Sequence, residues 1–94
     1  MRLVLLTYRF YIPSSHSLKD KRRVIKSLKD TIKTRFNVSV SEFEHQELWQ
    51  RAGMAIAIVA SDGIELEKVM GAIERTVLDR DELQIVSFER RNFL

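Results

Sequence analysis

The sequence predicts an α+β domain with the element order β-α-β-β-α-β. Two strand-like segments are apolar on both alternating sets of residues, and two longer segments carry apolar residues at helical spacing. The 94 residues suffice for one two-layer core but not for two. In this order the first and third strands lie in the middle of the sheet, which agrees with their two apolar faces. We therefore expect one ferredoxin-like domain over residues 1–94, a four-stranded antiparallel sheet with two helices on one face.

The first strand is expected over residues 2–12. Val4 and Leu6 belong to one alternating set and Leu3 and Leu5 to the other, so both faces of the strand are apolar. A Pro-Ser-Ser-His segment then breaks the pattern. Because polar residues interrupt the apolar run and no small-residue cleavage site follows, we interpret this stretch as a strand and not as a signal peptide.

The first helix is expected to begin at Ser17, because Ser17 and Asp20 resemble a capping box. Its buried face is formed by apolar residues at helical spacing: Leu18, Ile25, Leu28, Ile32 and Phe36. Asn37 follows where a left-handed residue can end a helix, so we predict the C-terminus there.

The remaining elements follow from the same patterns. Residues 38–41 alternate Val and Ser and predict a half-buried strand, and residues 52–60 predict a central strand. Asp62 is the predicted N-cap of the second helix, and residues 83–88 predict a final strand before a charged segment. The buried stripe of the second helix is expected at Leu66, Val69, Met70, Ile73 and Val77.

Positive charge is concentrated in one segment. Residues 19–35 contain eight basic and two acidic residues, a net charge of +6, whereas the rest of the chain has a net charge of −3. A helical projection places five cations in one stripe beside the buried face: Lys19, Arg22, Lys26, Lys29 and Lys33. Two carboxylates cannot neutralise this segment, so a phosphate backbone is its natural partner, although a solvated helix flank is the alternative.

The segment after the second strand crowds polar and aromatic side chains into seven positions: His45, Gln46, Trp49, Gln50 and Arg51. Such a cluster suggests acid–base chemistry or a small-ligand site. We favour a hairpin in which Trp49 and Arg51 order the chain between the second and third strands. Trp49 is then expected at the edge of the core, and a base-stacking role is the second interpretation. Strand alternation places Glu42 and Glu44 on the face opposite Phe43, and we assign no catalytic residue.

Composition excludes several classes of site. The chain has no Cys, and its two His are too far apart in sequence to indicate a metal site. Its three isolated Gly form no phosphate-binding loop, and no apolar run approaches the roughly 18 residues of a membrane span. We expect a soluble cytoplasmic protein that uses no metal or cofactor.

The second sheet face is expected to need a cover. The central strands are apolar on both faces, whereas two helices cover one, so we predict a homodimer. The alternative is an RNA platform in which Tyr8 or Tyr11 and Phe88 stack on bases, but the signature of RNA-recognition motifs is missing.

Two motifs resemble those of a known family. SHSLKDKRRVIKSL at residues 15–28 and RFNVSVSEFEHQELWQRA at residues 35–52 resemble the YlxP-like family of small bacterial proteins, a domain of unknown function. The family's second motif usually reads VAEVDHQDLWQRA, and this chain has VSEFEHQELWQRA in its place. The resemblance implies a ferredoxin-like fold and a bacterial cytoplasmic setting. Genes of the family often lie near genes for translation and ribosome maturation, which implies RNA-related work but no catalytic residues.

We therefore expect a non-enzymatic protein that binds RNA or a ribosomal particle through its first helix. One alternative is a homodimeric protein-interaction scaffold. The other is an enzyme or small-ligand module that uses the segment from His45 to Arg51.

Overall fold

The computed structural model describes residues 1–44 and 47–94. Its elements are β1 (Arg2–Tyr11), α1 (Leu18–Arg35), β2 (Ser39–Phe43), β3 (Arg51–Ala60), α2 (Gly63–Leu78) and β4 (Gln84–Asn92). The strands form one antiparallel sheet in the order β2-β3-β1-β4, so β1 and β3 are central. The ferredoxin-like fold is confirmed. In the described part of the chain, no helix is long and apolar enough to cross a membrane.

The core lies between the helices and one face of the sheet. The even-numbered residues of β1 and β3 point into it, and the cross-strand partners Leu6 and Ile56 are fully buried. From α1, Ile25, Leu28 and Ile32 complete this layer with no exposed surface. The predicted buried face of the helix is therefore confirmed at its centre, and its outer members Leu18 and Phe36 are half-buried.

Both predicted helix starts are confirmed. The Ser17 hydroxyl accepts a hydrogen bond from the Asp20 backbone N–H at 3.0 Å, and the Asp62 carboxylate accepts one from the Glu65 N–H at 2.8 Å. The reciprocal half of the capping box differs from its usual form. The Asp20 carboxylate accepts from the backbone N–H of His16, one residue before the cap, at 3.1 Å.

The predicted end of α1 is wrong in its geometry. The helix ends at Arg35, and its cap Phe36 is extended (φ −128°) and donates its N–H to the Ile32 carbonyl at 2.9 Å. Among the described non-glycine residues only Glu44 has a positive φ, so Asn37 is not left-handed. The extended backbone at Phe36 leads straight toward β2, which removes the need for a left-handed residue.

The final strand is longer than predicted. β4 continues through the charged residues after Phe88, where Arg91 lies opposite Leu5 of β1. An edge strand tolerates such charges because one of its sides faces solvent. Its register with β1 shifts between Arg9 and Phe10, which leaves Val86 as the extra residue of a β-bulge.

The second face of the sheet, called the open face below, carries the alternate residues of each strand. By register it comprises Leu3, Leu5, Thr7, Arg9 and Tyr11 of β1, Ser39, Ser41 and Phe43 of β2, Arg51, Gly53, Ala55, Ala57 and Val59 of β3, and Gln84, Ser87, Glu89 and Arg91 of β4. Within the described chain both helices lie on the other side. Val59 is accordingly 62% exposed in the middle of a sheet.

Candidate nucleic-acid interface

The predicted cations lie on the flank of α1 that faces away from α2. On the opposite flank, Arg35 donates to the Thr76 hydroxyl of α2 at 3.4 Å, and Arg80 donates to the hydroxyls of Ser27 and Thr31, each at 2.8 Å. These contacts hold that side of α1 against α2 and the turn after it. The flank formed by Lys19, Arg22, Lys26, Lys29 and Lys33, called the basic flank below, is left on the side of β2.

The basic flank is exposed and mostly unmatched in charge. Four of its members are exposed and Lys29 is half-buried. Lys26 donates to the Asp30 carboxylate at 2.7 Å. This bond is the main cause of the lowered pKa of Asp30, and the charges of Lys29 and Lys33 lower that pKa further. In the part of the chain that the structure describes, Asp30 is thus the one carboxylate joined to this flank by a short bond, and it also lies in the field of Lys29 and Lys33.

The spacing of these cations produces a straight row. Successive members are three or four residues apart from Lys19 to Lys33, which keeps them on one side of the helix. With a rise of 1.5 Å per residue, the row is about 21 Å long with about 5 Å between neighbours. The arrangement can bind several charges of an extended polyanion at once.

The hairpin candidates lie in two groups. Trp49, Gln50 and Arg51 are in the described chain, whereas His45 and Gln46 lie outside the described residues. Trp49 is 53% exposed, so its predicted place at the edge of the core is wrong. The ring projects from the segment that precedes β3, where most of its surface can meet solvent or a partner.

Gln50 ties this segment to the loop between β1 and α1. Its side-chain amide donates to the carbonyls of Pro13 and Ser15, both at 3.2 Å. Its own carbonyl accepts from the Ile12 N–H at 2.9 Å. These three bonds give Gln50 an ordering role that the sequence assigned only to its neighbours. Arg51 shares this role, since its guanidinium lies over Tyr11 and its carbonyl accepts from Lys21.

Arg9 and Phe43 form a compact cluster on the open face. The Arg9 guanidinium lies 5.2 Å from the centre of the Phe43 ring and donates two hydrogen bonds to the Glu44 carboxylate, at 2.9 and 3.0 Å. Glu44 reaches this face because its backbone is left-handed (φ 54°), so the predicted alternation with Glu42 is wrong there. Gly53 is required below the cluster, since a Cβ would lie 2.5 Å from the Phe43 backbone carbonyl oxygen and 2.9 Å from its ring.

A cleft of about 230 Å³ lies between the start of α1 and the end of β2. Lys21, Arg22, Glu42 and Glu44 line it, so it carries both signs of charge. Its volume is below the range of about 300–1,000 Å³ that is typical of ligand pockets. Among the described residues no group of His, Cys, Asp and Glu could hold a metal ion. The cleft therefore gives little support to a small-ligand site.

The aromatic platform considered for RNA is not formed. Tyr8 is buried on the helix side, stacked on Phe10 with a centroid distance of 5.7 Å, and burial raises its pKa to about 12. Phe88 lies against Tyr8, whereas Tyr11 lies on the open face beneath the Arg51 guanidinium at 4.8 Å. Strand alternation places Tyr8 and Tyr11 on opposite faces of the sheet, which gives no support to the RNA platform that the sequence offered as an alternative.

The family model described as "Protein of unknown function (DUF503)" matches residues 3–90. The chain belongs to the DUF503 family. This DUF503 chain is 44% identical over 52 residues to the "Uncharacterized protein YlxP" of Bacillus subtilis (strain 168), a match that covers 55% of the chain and 56% of the relative. It thus spans about half the length of the curated relative it matches. The resemblance inferred from the two motifs is confirmed.

A solved structure agrees with the fold of this DUF503 chain. The "De novo designed protein Foldit4" superposes with a TM-score of 0.58 at 19% identity, covering 98% of this chain and 97% of the other. At this identity the likeness shows the fold alone.

Sequence reasoning missed Lys21 in this DUF503 protein. The residue is 4% exposed, and its ammonium donates to the Arg51 carbonyl at 3.1 Å. Burial lowers its pKa, and the charge of Glu42 partly opposes that shift. The signal was available, because the helical projection places Lys21 roughly 40° from Ile25, inside the buried face. Lys21 is therefore a link between α1 and β3 and not a member of the basic flank.

Proposed function

We propose that this DUF503 protein is a non-enzymatic, cytoplasmic protein that binds RNA or a ribosomal particle through the basic flank of α1. The observation that supports the proposal is a row of five cations with a single carboxylate matched to it by a short bond. A solvated flank usually mixes both signs of charge, because pairs at helical spacing stabilise the helix. A row in which, among the described residues, one cation of five has a short bond to a carboxylate suits a partner with a repeating negative charge.

The same geometry favours binding that tolerates sequence. Cations on a helix flank reach phosphates, whereas sequence is recognised at base edges or by stacked aromatic rings. Tyr8 is buried and Tyr11 lies beneath Arg51 on the open face, away from α1. The RNA partner is therefore expected to be chosen by its shape and by phosphate placement.

The test is the salt dependence of RNA affinity. If four cations contact phosphates of single-stranded RNA, log K should fall against log salt with a slope of roughly −3, at about −0.7 per phosphate. Each change to Gln should reduce the slope by about 0.7 and weaken different sequences alike. The combined variant Arg22→Gln, Lys26→Gln and Lys29→Gln should lose most of the affinity in a fluorescence anisotropy titration.

The matched control removes three charges elsewhere. Arg23, Lys68 and Arg75 are exposed and lie outside the basic flank, so their combined change to Gln alters net charge equally. This control should keep the wild-type slope and most of the affinity. Equal losses of RNA affinity in the two triple variants would mean that net charge, and not the basic flank, determines binding. A slope of log K against log salt near zero in the wild type would contradict the proposal.

Ribosome sedimentation distinguishes the partner. If the protein binds RNA on a particle, it should co-sediment with ribosomal particles from an untreated extract and be released when nuclease degrades the exposed RNA. Co-sedimentation that resists nuclease and high salt would favour the protein-scaffold alternative.

The proposal includes a homodimer formed through the open face. Leu3, Leu5, Ala57 and Val59 form an apolar patch there, and no described element covers it. Apolar patches of several hundred Å² on a soluble domain usually mark an interface. Because the helices lie on the other side of the sheet, this contact leaves the basic flank accessible.

A further inference from the structure

The open face consists of two halves that differ in the length of their side chains. β1 and β4 form the half with longer side chains, called the high half, and β3 and β2 form the other, called the low half. In the high half, β1 presents Leu3 and Leu5. β4 continues this half with Arg91, whose guanidinium lies 5.4 Å from the Phe93 ring centre. In the low half the central positions are small: Ala55 and Ala57 on β3, and Ser39 and Ser41 on β2. The larger Val59 and Phe43 lie at the two ends of this half. The step between the halves runs parallel to the strands, between β1 and β3.

A stepped surface fits a copy of itself in one orientation. The high half of each protomer must lie over the low half of the other, which requires a two-fold axis along the step. We propose that two copies stack open face to open face about an axis parallel to the strands, so that Leu5 of one protomer lies over the partner's Ala57. This inference rests on the proposed dimer and specifies its arrangement.

The strand registers decide which other residues meet. Leu5 and Ala57 are cross-strand partners within one chain, as are Leu3 and Val59. An axis between their strands therefore also places Leu3 over the partner's Val59. In the outer strands, Arg91 meets the partner's Ser39 and Glu89 meets the partner's Ser41. Three of these four contacts set a large or charged side chain against a small or hydroxyl-bearing one, and the fourth joins two branched apolar side chains, Leu3 and the partner's Val59.

The other in-plane axis gives a poorer fit. An axis across the strands near Thr7 would place β1 on the partner's β1, with Leu5 over the partner's Arg9. It would also stack high half on high half and leave the alanine strip facing a gap. Both consequences are unfavourable, because interiors pack without voids and an apolar side chain gives a guanidinium no hydrogen bond.

Area and charge are compatible with a stable dimer. With strands about 4.8 Å apart, three of them about 30 Å long and the five-residue β2 about 17 Å long, the face measures roughly 500 Å². Two such faces bury roughly 1,000 Å², the lower limit for a specific interface. The proposed axis brings the Arg9 ends of the two copies together. Each Arg9 carries its own counter-ion in Glu44. Arg51 at the same end lies over Tyr11 of its own chain, and the axis places it over the partner's Tyr11 as well.

The test uses two variants that should each form a weakened homodimer but should form a well-packed dimer with one another. Leu5→Ala lowers the high half, so its homodimer should have a void at both copies of the contact. Ala57→Leu raises the low half, so its homodimer should have a clash at both. In the mixed dimer each contact again joins one Leu to one Ala. Native mass spectrometry should show mostly mixed dimers, with each homodimer weaker by at least about tenfold.

The outcomes separate the arrangement from the dimer. A monomeric wild type would overturn the dimer and this arrangement together, whereas RNA binding by the basic flank would be judged on its own. A dimeric wild type with random pairing of the two variants would overturn the arrangement alone. Circular dichroism should confirm that both variants fold, and Ala57→Val replaces Ala57→Leu in the mixture if the latter does not.

Discussion

Trp49 is the residue at which sequence and structure disagree most. A core Trp would lose about 3 kcal/mol or more on truncation to Ala, whereas this ring is 53% exposed. We therefore predict that Trp49→Ala lowers the free energy of unfolding by about 1.5 kcal/mol or less, measured by urea denaturation. A loss of 3 kcal/mol would contradict the exposed position. Full stability combined with lost RNA affinity would instead identify Trp49 as a contact residue.

For individual residues, the sequence predicted the position of a side chain where that position follows from helical spacing alone. The basic flank was predictable because one angle per residue places each cation. Glu44 was not, since neither its left-handed backbone nor its bond to Arg9 across the sheet has a signal in the local sequence. Trp49 was not either, because the Gln50 amide, and not the indole ring, holds that segment to the loop after β1.

The N-cap of α1 is an element whose contribution can be measured. The Ser17 hydroxyl accepts from the Asp20 N–H, which would otherwise lack an intrahelical partner. Ser17→Ala should therefore cost about 1 kcal/mol of unfolding free energy. Thermal melting and urea denaturation both report this change.

The matched control is Ser14→Ala, because Ser14 is exposed in the same loop. Its stability should stay within about 0.5 kcal/mol of the wild type. Equal effects of the two changes would mean that the cap bond adds nothing. RNA affinity should follow the wild type in both, since neither serine belongs to the basic flank.

Element order and helix starts were predictable because both depend on local signals, apolar period and cap residue. The predicted ends of elements are wrong where pairing with a strand distant in sequence determines the end. β4 continues to Asn92 because β1 supplies a pairing edge, which the charged letters after Phe88 do not reveal. Likewise α1 ends at Arg35 with an extended cap because the chain must reach β2 at once.

The whole molecule offers a direct test of its association. Ala57 lies on the open face, so Ala57→Arg should leave the fold intact and convert the proposed dimer to monomer at micromolar concentration. The reason is that an unpaired guanidinium would have to be buried against the partner. Light scattering measures the mass, and circular dichroism checks the fold.

Ile64→Arg is the control for Ala57→Arg. Ile64 is 73% exposed on α2, so this change adds the same charge outside the open face and should keep the wild-type mass. A monomeric wild type at every concentration would contradict the dimer. An Ala57→Arg protein that remains dimeric would move the interface to another surface.

The central position of β1 also constrains how the chain folds. Its neighbours β3 and β4 both follow it in sequence. The edge of β1 that pairs with β4 stays unpaired until the chain as far as Arg91, the partner of Leu5, is available. Residues 3–8 are uncharged and rich in β-forming side chains, the composition of segments that pair between chains. Such distant pairing slows folding and prolongs the exposure of unpaired edges. Arg2 and Arg9 flank this segment, the placement of gatekeeper residues, and we expect their charges to limit aggregation before β3 and β4 have paired with β1.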